Sequence, residues 1–440
     1  TGVGADTTLA RIIHRVEEAQ DAKAPTQTFM EKFSRWYTPG IIVLAVVAGL
    51  AFRDVELALT LLVIGCPGAL VISIPVSIVS GIGRAARDGI LIKGGEFLET
   101  AADIDLVAVD KTGTLTVGEP RLVDVIPVGE GVTRREVLAA AARAEAGSEH
   151  PLAAPILEAA RDGGLSVALP DTVESVPGKG IRAVADGELI LVGNPALLEQ
   201  FGIDSPDAAR VAGELADGGT TPMIVAAGGR ALGVIAVADE VRDMAADMVA
   251  GLHRIGVKDV VMLTGDVEPV ARAIGGATGV DEIRASLLPE GKYDAVESYR
   301  AAGRTVAMVG DGVNDAPALA AADIGVAMGA AGSAVAVESA DIALMSDDLL
   351  KLPEAIDLAK RTNRVMKQNI FIALLTVAVL LAGVFAGGVT MAIGMLVHEL
   401  SVLVVIVNAM RLLRRRKFAG GTSTQAASSS PEPRSPARVS

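Results

Sequence analysis

The sequence has a single cysteine, Cys66, so it cannot form an internal disulfide bond, and cysteine usage leaves the redox compartment undetermined. Aromatic residues make up only 3% of the chain, so its 51% hydrophobic content is mostly Ala, Val, Leu and Ile. The chain also has fewer basic than acidic residues, 39 Lys and Arg compared with 53 Asp and Glu, so its formal net charge is −14. Binding to nucleic acid phosphates requires clustered positive charge. We therefore expect no nucleic acid partner.

Four apolar stretches are long enough to cross a membrane. They cover about residues 36–52, 57–82, 370–386 and 389–413. Basic residues flank these stretches mostly on one side, and the positive-inside rule then places the long middle section in the cytoplasm. For the first and third stretches, buried core helices are the alternative. The pattern predicts a multi-pass protein of the cell membrane, with the lipid bilayer as a partner.

The middle section alternates apolar strands with Ala-rich helical segments, which indicates a parallel sheet covered by helices on both faces. Apolar runs at 104–109, 257–263 and 305–309 each end in a loop that contains Asp. Active groups in such sheets collect at the C-terminal ends of strands. We therefore expect Asp110, Asp266 and Asp311 to converge.

The most specific motif in the chain is the heptad DKTGTLT at residues 110–116. A carboxylate at a strand end can attack the γ-phosphate of ATP and form an aspartyl phosphate. Lys111, Thr112 and Gly113 let side chains and turn amides approach the phosphoryl oxygens. An ordinary turn Asp is the structural alternative. The heptad resembles the signature of P-type ATPases, whose phosphorylation domain is a doubly wound parallel sheet of the haloacid-dehalogenase-like fold.

Later motifs occur in the order that this resemblance implies. Thr264, Gly265 and Asp266 would place a hydroxyl and a carboxylate beside the phosphoryl group, with Lys292 as the basic partner. Two further residues, Asp239 and Arg242, occupy the position of a short hinge motif in the family.

The segment GDGVND at residues 310–315 resembles the metal-binding loop of the same family, although a GDG loop alone is a common turn. The resemblance implies that Mg²⁺ is held by Asp110, Thr112 and Asp311, with Asn314 and Asp315 completing the site. Mg²⁺ prefers hard oxygen ligands and usually keeps waters and phosphate oxygens.

Residues 119–236 read as an inserted α+β domain, and their motifs resemble the nucleotide-binding domain of heavy-metal pumps. The motifs are Ser-Glu-His-Pro-Leu at 148–152, Gly-Lys-Gly at 178–180 and Gly-Asn-Pro at 193–195. The resemblance implies an ATP site formed by Glu145, His150, Gly178, Gly180 and Asn194. The glycines would let the backbone approach the ligand closely.

The second apolar stretch contains Gly65-Cys66-Pro67-Gly68. Proline removes a backbone hydrogen bond and kinks a helix, so freed carbonyls and a sulfur at mid-membrane depth could bind a cation. A small apolar Cys beside a packing kink is the alternative. Heavy-metal pumps usually have Cys-Pro-Cys here, and Gly68 replaces the second Cys. One thiolate is therefore missing, which argues against Cu(I) and also weakens the case for Cd²⁺ and Pb²⁺.

The fourth stretch contains His398-Glu399-Leu400-Ser401, and ionisable groups deep in an apolar helix are costly and usually functional. Placement near the membrane interface is the alternative. The segment resembles the His-Glu-Gly-Ser pattern of pumps associated with cobalt and related ions, with Leu400 in place of Gly. Ligands from Cys66, His398, Glu399 and Ser401 would suit Co²⁺, Zn²⁺, Ni²⁺ or Fe²⁺ better than Cu(I).

Together these features predict the C-terminal portion of a heavy-metal P-type ATPase that exports a divalent ion (Co, Zn, Ni, Fe or Cd) at the expense of ATP. The predicted parts are an actuator linker and leading helix (1–35), two membrane helices (36–82), a phosphorylation domain (83–118 and 237–360), the nucleotide domain (119–236), two further membrane helices (361–413) and a basic stop with a disordered tail (414–440).

No Thr-Gly-Glu actuator loop occurs in the sequence, which also begins with Thr1. We therefore expect a fragment that lacks the N-terminal half of the pump, binds ATP, and dephosphorylates and transports poorly. A membrane-anchored phosphatase of the dehalogenase type and an inactive truncated pump are the competing interpretations. Such phosphatases generally carry a second Asp two residues after the nucleophile, where this chain has Thr112.

Overall fold

The computed structural model describes residues 25–148, 152–311, 315–329 and 340–414. The predictions for His150, Asn314, the segment before residue 25 and the tail after residue 414 lie outside these ranges. The helices of six or more residues are α1 (Pro25–Phe52), α2 (Val55–Ile64), α3 (Gly68–Arg87), α4 (Gly95–Ala102), α5 (Arg134–Glu145), α6 (Ala153–Asp162), α7 (Pro195–Gln200), α8 (Pro206–Asp217), α9 (Ala245–Arg254), α10 (Glu268–Thr278), α11 (Pro289–Ala301), α12 (Ala316–Ala321), α13 (Lys351–Phe385) and α14 (Met391–Met410).

The strands of the described residues form two sheets. They are β1 (Ile90–Ile92), β2 (Leu106–Asp110), β3 (Arg121–Pro127), β4 (Thr172–Val176), β5 (Gly180–Ala185), β6 (Glu188–Gly193), β7 (Thr221–Ala227), β8 (Arg230–Ala238), β9 (Asp259–Leu263), β10 (Glu282–Arg284), β11 (Val306–Gly310), β12 (Ile324–Ala327) and β13 (Ile342–Leu344).

The first sheet has the order β1-β13-β12-β11-β2-β9-β10. Its neighbouring strands are parallel, as predicted, except for the edge pair β1–β13, which is antiparallel. Alternate residues of β2 enter different apolar clusters, Val107 and Val109 in one and Leu106 and Ala108 in the other. The strand is therefore buried on both faces, which explains why its sequence is apolar throughout.

The second sheet lies within the inserted segment and has the order β3-β8-β7-β6-β5-β4, with every neighbouring pair antiparallel. Helices α5 and α6 contribute Val137 and Ile156 to the apolar cluster on one face. Helices α7 and α8 contribute Leu197 and Ala212 to the other. Helix α5 begins with a capping box, in which Thr133 and Glu136 each accept the other's backbone N–H.

Within the described ranges, four helical segments are long and apolar enough to cross a membrane: Lys32–Phe52, Val55–Arg87, Lys351–Phe385 and Met391–Leu413. The second is not one continuous helix, because α2 ends at Ile64 and α3 starts at Gly68, after a break at Pro67. Helix α13 is continuous over 35 residues. Its Met366 shares one apolar cluster with Ile82 of α3 and Val107 of the first sheet. The membrane helices and the first sheet are thus packed together.

Candidate functional site

Three strand ends of the first sheet meet at one edge, because β11, β2 and β9 are adjacent and parallel. Asp110 is the last residue of β2, Thr264 follows β9, and Asp311 follows β11. In register, Asp110 lies opposite Leu263, the last residue of β9. The sheet therefore brings together three loops that are far apart in sequence.

Lys292 connects the acids at this edge. Its Nζ lies 2.5 Å from Oδ1 of Asp110 and 2.8 Å from Oδ1 of Asp315. Asp110 is only 5% exposed. Burial, followed by the nearby Asp315, raises the pKa of Asp110 to about 6, against the lowering effect of Lys292. Burial disfavours the charged amine of Lys292, but Asp110 and Asp315 outweigh it and raise its pKa. The amine is therefore a fixed positive charge beside the carboxylate.

A second lysine holds the neighbouring strand end. Nζ of Lys111 lies 2.5 Å from Oδ2 of Asp266. The hydroxyl of Thr264 accepts the backbone N–H of Asp266 at 3.1 Å, and the backbone N–H of Leu287 donates to the carbonyl of Thr264. A β-carbon on Gly265 would lie 3.2 Å from the carbonyl oxygen of Leu287, so this turn packs tightly.

The turn after Asp110 passes beside Asp311. Gly113 has φ +71°, and a β-carbon there would lie 3.7 Å from Oδ2 of Asp311. A side chain on Gly310 would collide with Asp315, whose Oδ2 is buried and has no hydrogen-bond partner in the part of the chain that the structure describes. Buried carboxylate oxygens near an exposed Thr112 fit a hard cation such as Mg²⁺. No group of three His, Cys, Asp or Glu among the described residues closes a metal site by itself, so water or phosphate oxygens would supply the other ligands.

The heptad is anchored by Asp239 and Arg242. Asp239 accepts hydrogen bonds from the Thr116 hydroxyl at 2.5 Å and from the backbone N–H of Gly118 at 2.9 Å. The guanidinium of Arg242 donates to the carbonyls of Thr116 and Gly113 at 3.0 and 3.3 Å. The two side chains therefore fix the loop that follows Asp110.

Two of the predicted nucleotide residues, Gly178 and Asn194, contact each other, and Gly180 begins strand β5 just after Gly178. The Asn194 side chain donates to the carbonyl of Gly178 at 2.9 Å, and its backbone N–H donates to the carbonyl of Lys179 at 2.8 Å. Gly180 has φ +139°, and a β-carbon there would overlap the carbonyl oxygen of Val192. Only glycine fits this close approach.

Glu145 lies at the end of α5 and is buried. Burial raises its pKa, against a hydrogen bond from Ser148 that lowers it. Its Oε2 has no hydrogen-bond partner within the described ranges, which leaves a buried acceptor at this position.

The break in the second membrane segment opens onto a small cavity of about 10 Å³, room for about one water-sized sphere. Its lining includes Tyr37, Cys66, Pro67, His398 and Ser401. His398 is buried, and its Nδ1 has no hydrogen-bond partner among the described residues. The Ser401 hydroxyl donates to the carbonyl of His398 at 2.6 Å.

Two of the predicted membrane ligands are exposed in this chain. Cys66 is exposed but borders the cavity, whereas Glu399 is exposed and does not line it. The structure therefore brings together Cys66, His398 and Ser401 and leaves Glu399 outside the cavity. Tyr37 is a lining residue that the sequence reasoning missed. A phenol within an apolar span was the signal that could have identified it.

Comparisons with known proteins identify the family of this chain. Residues 104–323 match the family model described as haloacid dehalogenase-like hydrolase. A crystal structure of a zinc-transporting PIB-type ATPase in its E2.Pi state is 40% identical, with a TM-score of 0.69, and the match covers 94% of this chain and 68% of that chain. The chain belongs to the PIB-type ATPases.

Two curated relatives have names that include different metals. A probable cadmium-transporting ATPase of Alkalihalophilus pseudofirmus is 41% identical over 93% of this chain and 58% of its own length. A manganese-exporting P-type ATPase of Mycobacterium bovis is 42% identical over 94% of this chain and 58% of its own length. The chain thus spans about 58% of the length of these relatives.

Proposed function

We propose that this chain forms the ATP-hydrolysing and ion-conducting part of a pump that exports a divalent transition or heavy metal cation. The observation that carries the proposal is the placement of Lys292 between Asp110 and Asp315 at the C-terminal edge of the sheet. A buried carboxylate beside a fixed ammonium can act as a nucleophile toward a phosphoryl group and balance the charge that it brings.

The reaction divides into two steps. A carboxylate oxygen of Asp110 attacks the γ-phosphorus of ATP, a new O–P bond forms, and the bond to the ADP oxygen breaks. Water then attacks the phosphorus, releases inorganic phosphate and restores the carboxylate. Lys292 offsets negative charge in both steps, and Lys111 holds Asp266 next to the phosphoryl position. Asp239 and Arg242 keep the loop in the conformation that presents Asp110.

Mg²⁺ would be held by Asp110, Asp311 and Thr112, with Asp315 close by. When bound, it neutralises charge on the phosphate oxygens. The Oδ2 of Asp315 supports this assignment, because it is buried, has no hydrogen-bond donor among the described residues, and is the kind of hard oxygen that Mg²⁺ prefers.

We assign ATP binding to the second sheet, within residues 119–236. The free Oε2 of Glu145 can accept a hydrogen bond from the adenine amino group, and the close turn of Gly178, Gly180 and Asn194 can border the nucleotide. The phosphorylation part then comprises residues 83–118 and 237–360.

The transported ion would enter the cavity at the helix break, where Cys66 offers a sulfur and His398 a free ring nitrogen. One sulfur with one imidazole suits borderline divalent ions such as Co²⁺, Zn²⁺, Ni²⁺ or Fe²⁺. The relatives named for cadmium, manganese and zinc support divalent transport and make Cd²⁺ and Mn²⁺ necessary test ions.

The decisive experiment is phosphate transfer from ATP labelled at the γ position to the protein in lipid nanodiscs. We expect an acid-stable label that hydroxylamine removes and that Asp110→Asn abolishes. The variant Asp294→Asn, altered at an acid outside the site, should label normally. Release of phosphate from a small ester without ATP would instead favour a phosphatase, and absence of label in folded protein an inactive pump.

A second experiment addresses the ion. ATPase activity is measured with Co²⁺, Zn²⁺, Ni²⁺, Fe²⁺, Cd²⁺ and Mn²⁺ in the full-length parent pump and in its Cys66→Ala and His398→Ala variants. We expect one or a few of these ions to stimulate activity, and both substitutions to reduce that stimulation. Equal stimulation in both variants would contradict the proposed ion site.

A further inference from the structure

The start of helix α1 is capped by a residue from a distant part of the chain. The backbone N–H of Thr26 donates to Oε2 of Glu99 at 3.0 Å, across 73 positions of sequence. The first N–H groups of a helix have no acceptor within the helix. A carboxylate at this end also interacts favourably with the helix dipole. Glu99 therefore caps α1 from outside it.

The first turn of α1 contains no acidic residue that could interact with these N–H groups from within the helix. Glu99 is only 8% exposed, and burial raises its pKa, against the hydrogen bonds from Thr26 that lower it. A buried carboxylate in this position is costly unless its donors stay in place.

Glu99 is well placed to transmit movement. It lies on α4, which leads through residues 103–105 directly into β2, the strand that ends at Asp110. Met30 of α1, Leu98 of α4 and Met366 of α13 belong to one apolar cluster. The polar contact and the apolar cluster together join the first membrane helix to the sheet that carries the nucleophile.

We infer that Glu99 is a positioning residue that couples the phosphorylated sheet to helix α1. It supports the change of conformation after phosphorylation rather than phosphoryl transfer itself. This inference rests on the proposed function, because it requires Asp110 to be phosphorylated.

The test compares Glu99→Ala, the isosteric Glu99→Gln and the control Glu96→Ala in the full-length parent pump in lipid nanodiscs, because this chain contains no Thr-Gly-Glu loop to support attack by water. Glu96 lies on the same helix but is exposed. Phosphoenzyme formed from ATP is chased with ADP or with water alone. Glu99→Ala should form phosphoenzyme at a rate within about twofold of normal. Its phosphoenzyme should stay reversible by ADP and lose phosphate to water about tenfold more slowly, the effect of one lost hydrogen bond to a charged group.

The matched variants make the result specific. Glu99→Gln keeps a carbonyl acceptor, so its phosphoenzyme should lose phosphate to water at a rate between those of the unaltered protein and Glu99→Ala. Glu96→Ala should lose phosphate at the normal rate. Decay at the normal rate in folded Glu99→Ala would overturn the inference. If Glu99→Ala slowed phosphoenzyme formation and phosphoenzyme decay equally, and also lowered the melting temperature, Glu99 would have a structural role only. That result would overturn the inference as well.

A separate measurement keeps this inference distinct from the proposed function. Amide hydrogen exchange over residues 25–33 should be faster in Glu99→Ala than in Glu96→Ala, whether or not the protein accepts phosphate. Unchanged exchange there would refute the cap itself. Failure of Asp110 to accept phosphate, with the exchange effect present, would refute the proposed function and with it the coupling, but leave the cap standing.

Discussion

A β-carbon placed on Gly68 would lie 3.2 Å from Nε2 of His398, so the backbone at the start of α3 and this imidazole occupy adjoining space. That separation is shorter than most contacts of a β-carbon, and any side chain at position 68 would therefore displace the ring. Gly68, which stands where related pumps have a second Cys, thus leaves the space that the His398 ring occupies.

Gly68→Ala should raise the metal concentration needed for half-maximal ATPase stimulation about three- to tenfold, because a ligand moved by tenths of an ångström binds less well. Gly83→Ala, on the same helix and with open space around it, is the control. ATPase titrations of the full-length parent pump with Zn²⁺ and Co²⁺ measure the effect. Equal values for the two variants would show that the ring does not bind the ion.

Lys292→Ala should lower the rate of phosphoenzyme formation about 100-fold, the typical loss when one charge-stabilising donor is removed. It also leaves Asp110 beside Asp315 without a compensating charge. Lys258→Ala is the control, since Lys258 is largely exposed and pairs with Asp105 instead. Rapid-quench labelling gives both rates, and a less than threefold effect of Lys292→Ala would argue against its role.

The free energy of unfolding should depend on pH through the titration of Asp110. Its pKa is raised from the ordinary 3.8 to about 6, by burial first and by Asp315 second. The native chain therefore binds this proton more tightly than the unfolded chain. The corresponding stability is present below pH 3.8 and is lost as pH rises to about 6.

Asp110→Asn removes that titration, so its melting temperature relative to the unaltered protein should rise between pH 4 and 7. The exposed Asp243→Asn should show no such trend. Phosphoenzyme formation in the unaltered protein should also fall below about pH 6, since the nucleophile must be ionised. A pH-independent difference in melting temperature would contradict the assignment.

Gly180→Ala should destabilise the second sheet and weaken ATP binding more than Gly187→Ala does. Both positions have positive φ, which costs about 1–2 kcal/mol for a residue with a β-carbon. Only Gly180 adds an overlap with the carbonyl of Val192, whereas Gly187 has open space. Thermal unfolding and nucleotide titration compare the two variants, and equal losses would mean that the close approach is unimportant.

The sequence predicted much of this architecture because local patterns determine it. Buried strands that end in Asp are readable as apolar runs, and the parallel arrangement then implies that Asp110 and Asp311 lie at one edge. The pairing of the three-residue strands β1 and β13 could not be predicted from the sequence, because Ile90 and Leu344 are far apart along the chain and short apolar runs are common.

The membrane ligands were only partly predictable for a geometric reason. His398 and Glu399 are neighbours on a helix and point about 100° apart, so the sequence cannot tell which of them faces the other helices. The structure buries His398 and exposes Glu399. The contact between Glu99 and Thr26 was likewise invisible, because a lone Glu on a short helix has no pattern that identifies its partner.

The order of strands in the first sheet has a consequence for synthesis. Strand β2 emerges early but pairs on both sides with strands made much later, β9 and β11, while all strands of the second sheet form one continuous stretch between them. The second sheet can therefore fold on the ribosome while β2 still lacks neighbours. The nucleophile becomes assembled only after most of the chain has been translated, so translation that stops before β11 would leave an unpaired apolar strand prone to aggregation.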